Sequence, residues 1–138
     1  MKLARFEIAG QIDLGLVEEE GVTSLSACGC EFPDMLALIA GGDAALQQIR
    51  ELTGACAPHH RLADVRLLAP LRPGKYLAIG MNYRKHVEEM GHGGPPPHQY
   101  WFNKQTTCVS GPFDPIDPGV SDMVDWEVEL GEIGRAHV

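Results

Sequence analysis

Three observations predict an α+β protein, with a small N-terminal strand-and-helix lobe followed by the start of a second, mostly β unit. Strand-like apolar runs open the chain, "KLARFEIA" at 2–9 and "IDLGLVE" at 12–18. Two helix-spaced stretches come next, "PDMLALIAGG" and "AALQQIRELTG". Past the proline-bearing "RLADVRLLAPLRPGK", strand-like runs resume, from "YLAIG" to "VDWEVEL".

Each element has a local reason. The first two strands meet at Gly10, which reads as a hairpin turn, although their alternation is only partial. "GVTSL" adds a third strand, and "EEE" at 18–20 reads as a solvated turn. The Gly41–Gly42 pair stops the first helix, and Asp43 is placed to cap the second. In that second helix Leu46, Ile49 and Leu52 fall at helical spacing, and Gly54 ends it. A short strand over Val65–Leu68 then runs into Pro70 and Pro73, which marks a boundary. The expected organisation is a lobe over 1–70 and a second domain begun over 71–131. Within the second domain the strand "YLAIG" leads to a short helix at 83–90 and the loop "GHGGPPP". Strands are expected at "HQYWFNK", "TCVSG" and "VDWEVEL", with the turn-rich "PFDPIDPGVSD" before the last.

Composition narrows the function classes. The 138 residues are 44% hydrophobic and 22% charged, with a formal charge of −8. A negative field disfavours nucleic acid and anionic membrane as partners. Cys28, Cys30, Cys56 and Cys108 show no CxxC spacing, so neither a zinc site nor a disulfide framework is expected. "MKLARFEIAG" meets an acid at Glu7 and has no secretory h-region, and "MLALIA" is too short to span a bilayer. A cytoplasmic location is the expectation.

On a strand, Asp125, Glu127 and Glu129 share one face, with neighbours about 6.6 Å apart. Val124, Trp126, Val128 and Leu130 then face a core. Paired carboxylates repel unless neutralised, and a hard cation such as Mg²⁺ or Mn²⁺ does this directly. Alternating acids are also common on exposed sheet faces, so spacing alone favours a solvated surface. In "IGMNYRKHVEEMG", at 79–91, a helical turn places His86 and Glu89 three residues apart. A carboxylate beside an imidazole orients it as a general base, although the spacing by itself favours a surface ion pair. The adjoining Gly/Pro loop has the composition of a lid. His59, His60, His92, His98 and His137 read as surface or loop residues, and Trp101 and Phe102 as core or interface.

Taken together, these segments resemble the fumarylacetoacetate hydrolase family. "IGMNYRKHVEEMG" is similar to its G-x-N-Y-x-x-H-x-x-E lid motif, "YWFNKQTTCVSGPFDPI" to its lysine-bearing segment, and "VDWEVELG" to its acidic metal strand. The resemblance implies a roll-like catalytic domain and an Mg²⁺- or Mn²⁺-dependent homodimer acting on small 2-oxo acids or acylpyruvates. It assigns metal binding to Glu127 and Glu129, water activation to His86 with Glu89, and a place beside the substrate to Lys104. Asn82 and Gln105 follow as substrate-binding positions. The expected reaction is carbon–carbon bond hydrolysis. Hydratase, decarboxylase or isomerase chemistry on the same scaffold, or a non-catalytic binding module, are the alternatives.

The family's third metal carboxylate, an Asp, lies beyond the acidic strand and has no match in this sequence. "EIGRAHV", at 132–138, resembles translated adapter DNA: GAG ATC GGA AGA GCA CAC GTC TGA reads as these residues and a stop. The expectation is therefore an artefactual tail on a truncated, inactive family member.

Overall fold

The computed structural model describes residues 1–19 and 21–134. Glu20 of the expected turn, and Arg135 through Val138 of the expected foreign tail, lie outside the described residues. The fold is α+β and forms two compact units: Met1–Leu71 with the stretch from Ser110 onward, and Arg72–Val109.

In the first unit, β1 (Leu3–Ile8), β2 (Gln11–Glu18) and β3 (Gly21–Ser24) form an antiparallel meander. β4 (His60–Arg61) pairs with β3, and β5 (Arg66–Leu68) pairs with β1, giving the order β4-β3-β2-β1-β5. Ile8 faces Gln11 across a two-residue turn, where Ala9 and Gly10 have φ of 48° and 78°. Positive φ at both central residues is what a type I′ hairpin requires.

The helical run α1 (Met35–Thr53) begins at Asp34, whose carboxylate accepts the Ala37 N–H at 2.7 Å. It is two helical segments: Gly42, at φ 55° and ψ −139°, breaks the run where the glycine pair predicts a stop. Met35, Leu38 and Ile49 pack with Leu14 and Leu16 of β2, and with Leu25 and Cys30. Alternation along β2 puts Gly15 on the opposite face, beneath Phe6 and Val22.

Three expectations need correction. Cys28 and Cys56 are joined by a disulfide, because the chain returns the end of α1 to the turn after β3. Sequence spacing carries no trace of that return. "TCVSG" forms no strand; Thr106–Cys108 is a 3₁₀ turn. "VDWEVEL" is not a strand either, and the side chains expected in a core are open: Val124 59%, Trp126 80%, Val128 80% and Leu130 82% exposed. A strand exists only through ladder hydrogen bonds to a neighbour, and no described strand lies beside these residues.

Gly111 and Asp114, ahead of that segment, are tied to β5. Asp114 accepts from the Arg66 guanidinium at 2.8 Å and from the Gly111 N–H at 2.9 Å. Arg66 also reaches Glu7, its cross-strand partner on β1, at 3.4 Å. Among the described residues no helix is long and apolar enough to cross a membrane.

Candidate functional site

The second unit is a β-ribbon carrying a short helix. β6 (Leu77–Gly80) pairs antiparallel with β7 (Tyr100–Asn103) in a register that sets Ala78 opposite Phe102 and Gly80 opposite Tyr100. At the end of β6, Met81 takes a φ of 54°. Side chains of this kind rarely adopt that conformation, and such residues gather at functional sites. The chain passes through Asn82 and Tyr83 into α2 (Arg84–Glu89), where Val87 is buried. Gly91, at φ 72°, closes the helix: its N–H reaches the Glu88 carbonyl at 3.0 Å and the His92 N–H reaches that of Val87 at 3.2 Å. This is the paired hydrogen-bond closure that favours glycine just past a helix.

His86 and Glu89 therefore sit one helical turn apart, His86 half-buried and Glu89 exposed. Lys104 follows β7 directly, its N–H donating to the Tyr76 carbonyl at 2.9 Å. Its ammonium lies 5.9 Å from the Tyr76 ring centre and 6.0 Å from that of Phe102. Both distances fall at the edge of cation–π attraction, which holds a half-buried cation without neutralising it. Gln105 is exposed and heads the 3₁₀ turn, and Asn82 is exposed before α2. The sequence by itself does not single out Tyr76; the signal for it is the apolar run "YLAIG", whose first residue accepts the Lys104 N–H at the end of the ribbon. Trp101 and Phe102 are exposed on β7 rather than in a core.

Glu127 and Glu129 belong to the other unit and are exposed. Asp125 turns onto its own backbone, accepting the Trp126 N–H at 2.8 Å. In kind, the two glutamates suit a hard divalent cation. In number they fall short: among the described residues no group of three or more His, Cys, Asp and Glu is placed to hold a metal. A cleft of about 460 Å³ in the leading lobe, lined by Asp13, Leu25, Ser26 and Phe32 among others, contains none of the sequence-derived site residues.

Comparison with known proteins covers nearly the whole chain. The model described as fumarylacetoacetate (FAA) hydrolase C-terminal matches residues 75–135, and the one described as Rv2993c-like, N-terminal matches residues 1–70. The chain belongs to the fumarylacetoacetate hydrolase family, with an Rv2993c-like leading domain. A Burkholderia ambifaria protein with a provisional hydrolase name is 37% identical over 136 residues, 96% of this chain and 46% of that protein. Protein Rv2993c of Mycobacterium tuberculosis is 47% identical over 77 residues, 54% of this chain and 29% of its own. A Mycobacterium smegmatis crystal structure, provisionally named HpcE, superposes with a TM-score of 0.59 at 25% identity, covering 84% of this chain and 40% of that one. The chain thus spans about half the length, 46%, of the Burkholderia relatives it matches.

Proposed function

We propose that this chain is the leading half of a cytoplasmic, divalent-metal-dependent hydrolase that cleaves a carbon–carbon bond in acylpyruvate-like 2-oxo acids. The observation that carries the reading is the match over residues 75–135, a span that contains the α2 pair, Lys104 and both glutamates. Glu127 and Glu129 would supply two oxygen ligands for Mg²⁺ or Mn²⁺ in the complete protein. When bound, that ion supplies Lewis acidity to the substrate's 2-oxo group.

The remaining chemistry belongs to side chains of this unit. His86 takes a proton from water, and Glu89, one turn away, orients the imidazole for that transfer. The resulting hydroxide adds to the distal carbonyl carbon. The carbon–carbon bond breaks, its electron pair leaves on the pyruvate-side carbon, and that carbon regains a proton. Lys104, beside the Tyr76 and Phe102 rings, faces the negative charge that develops as the bond breaks. Asn82 and Gln105 are exposed polar groups on the same ribbon-and-helix unit and would contact the substrate's oxygens.

The test is turnover of an acylpyruvate by a full-length version, with the 138-residue chain alongside. The full-length protein should require Mn²⁺ or Mg²⁺, and His86→Ala should lower kcat by about 100-fold or more. The chain alone, with two carboxylates in place of a complete metal cage, should show negligible turnover. Metal-independent turnover, or a fully active His86→Ala variant, would sink the reading.

A further inference from the structure

Cys28 closes the 3₁₀ turn Ser26–Cys28, and Cys56 lies just past Gly54, where α1 ends. The two are 28 residues apart in sequence, yet their Cα atoms stand 6.6 Å apart and their sulfurs are bonded. That separation falls within the range disulfides adopt without backbone movement, about 4.4–6.8 Å. Both side chains are half-buried, which leaves the sulfurs within reach of small oxidants and thiols.

On either side the backbone is shaped by hydrogen bonds within its own turn, and these do not join the two segments. The Cys28 N–H donates to the Leu25 carbonyl at 3.1 Å, and the Gly29 N–H to that of Ser26 at 3.0 Å. The Cys56 N–H donates to the Thr53 carbonyl at 2.9 Å. The Cys56 sulfur also lies 3.3 Å from the Leu52 carbonyl oxygen, an acceptor for the S–H that only a reduced cysteine carries. The scaffold therefore has partners ready for either state. Nearby Cys30 is buried, and that burial pushes its thiol pKa up, away from the thiolate that reacts.

We propose that Cys28 and Cys56 are a reversible oxidation site: a peroxide closes the bond and a dithiol opens it, fastening or releasing the end of α1. In the closing direction, one thiolate attacks a peroxide oxygen and the O–O bond breaks. This leaves a sulfenic acid and releases water. The second thiol attacks that sulfur, forms the S–S bond and releases a second water. Two electrons pass from the sulfurs to the peroxide, and a dithiol returns them by exchange. The site is independent of the proposed hydrolase chemistry, and its test reads no enzymatic activity.

The 138-residue chain is reduced with dithiothreitol, treated with hydrogen peroxide under native conditions, and read by intact mass, peptide mapping and thermal melting. The expected product has lost two hydrogens, maps to a Cys28–Cys56 linked peptide, and melts about 10 °C or more above the reduced form. Dithiothreitol then reverses both changes without denaturant. Cys28→Ser and Cys56→Ser should each abolish bridge and shift, while Cys108→Ser keeps them. Peroxide that leaves Cys28 and Cys56 unlinked, or a bridge that opens only after unfolding, overturns the proposal.

Discussion

A Cβ placed on Gly15 would lie 2.7 Å from Cγ1 of Val22 and 2.9 Å from Cε1 of Phe6. Both neighbours are almost wholly buried and cannot swing into solvent. Gly15→Ala should therefore cost about 1–3 kcal/mol, read as a lower urea midpoint with an unchanged slope. A variant as stable as the parent would show that the Phe6 side of the sheet has slack. The sequence displays Gly15 only as an interruption in a strand, whereas the role of Gly10 as a turn is legible from its neighbours. Reading Gly15 needs the cross-strand register, which brings Phe6 and Val22 over it. Lys104 behaves similarly: its motif is legible, and the rings that flank it are a product of strand pairing.

Among the elements, β5 does more than close an edge of the sheet. Through Arg66 it binds Asp114, and Gly111 approaches so closely that a Cβ there would sit 2.9 Å from the Leu67 carbonyl oxygen. The Arg66 guanidinium, by hydrogen bond, and then the Gly111 N–H hold the Asp114 carboxyl below its ordinary pKa. A carboxyl depressed on folding stabilises the fold above its unfolded pKa, and that contribution vanishes as pH falls through the native value. Asp114→Asn should thus be less stable than the parent near neutrality and indistinguishable from it in strong acid. Urea midpoints measured across pH check this, and added salt should shrink the neutral difference, because Arg66 is largely exposed. A difference that persists unchanged into strong acid would mean the ion pair is not its source. The helical break at Gly42 was legible from the glycine pair, while this latch joins residues 48 apart and leaves no local pattern.

For the whole chain, the stretch from Ser110 onward carries exposed apolar side chains at Phe113, Ile116, Met123, Trp126, Val128 and Leu130. So many large apolar groups open to water favour association. Sedimentation should show the chain's mean mass rising with concentration, and Trp126→Ser with Val128→Ser should weaken that rise. A concentration-independent monomer would show that these side chains are covered in solution. The same segment explains why the acidic motif was legible but its strand was not. Side-chain alternation states which face each residue would take, and only a neighbouring strand can make the backbone take it.

From sequence alone came the α+β class, the order of most elements, the family, and the residue types at His86, Glu89, Lys104, Glu127 and Glu129. These rest on periodicity and motif, which are local along the chain. Tertiary structure alone decided the Cys28–Cys56 bond, the Arg66–Asp114 latch, the tight seat at Gly15 and the open state of 124–130. Each depends on what distant segments bring alongside, and contact across such separations is created by folding rather than written in neighbouring residues.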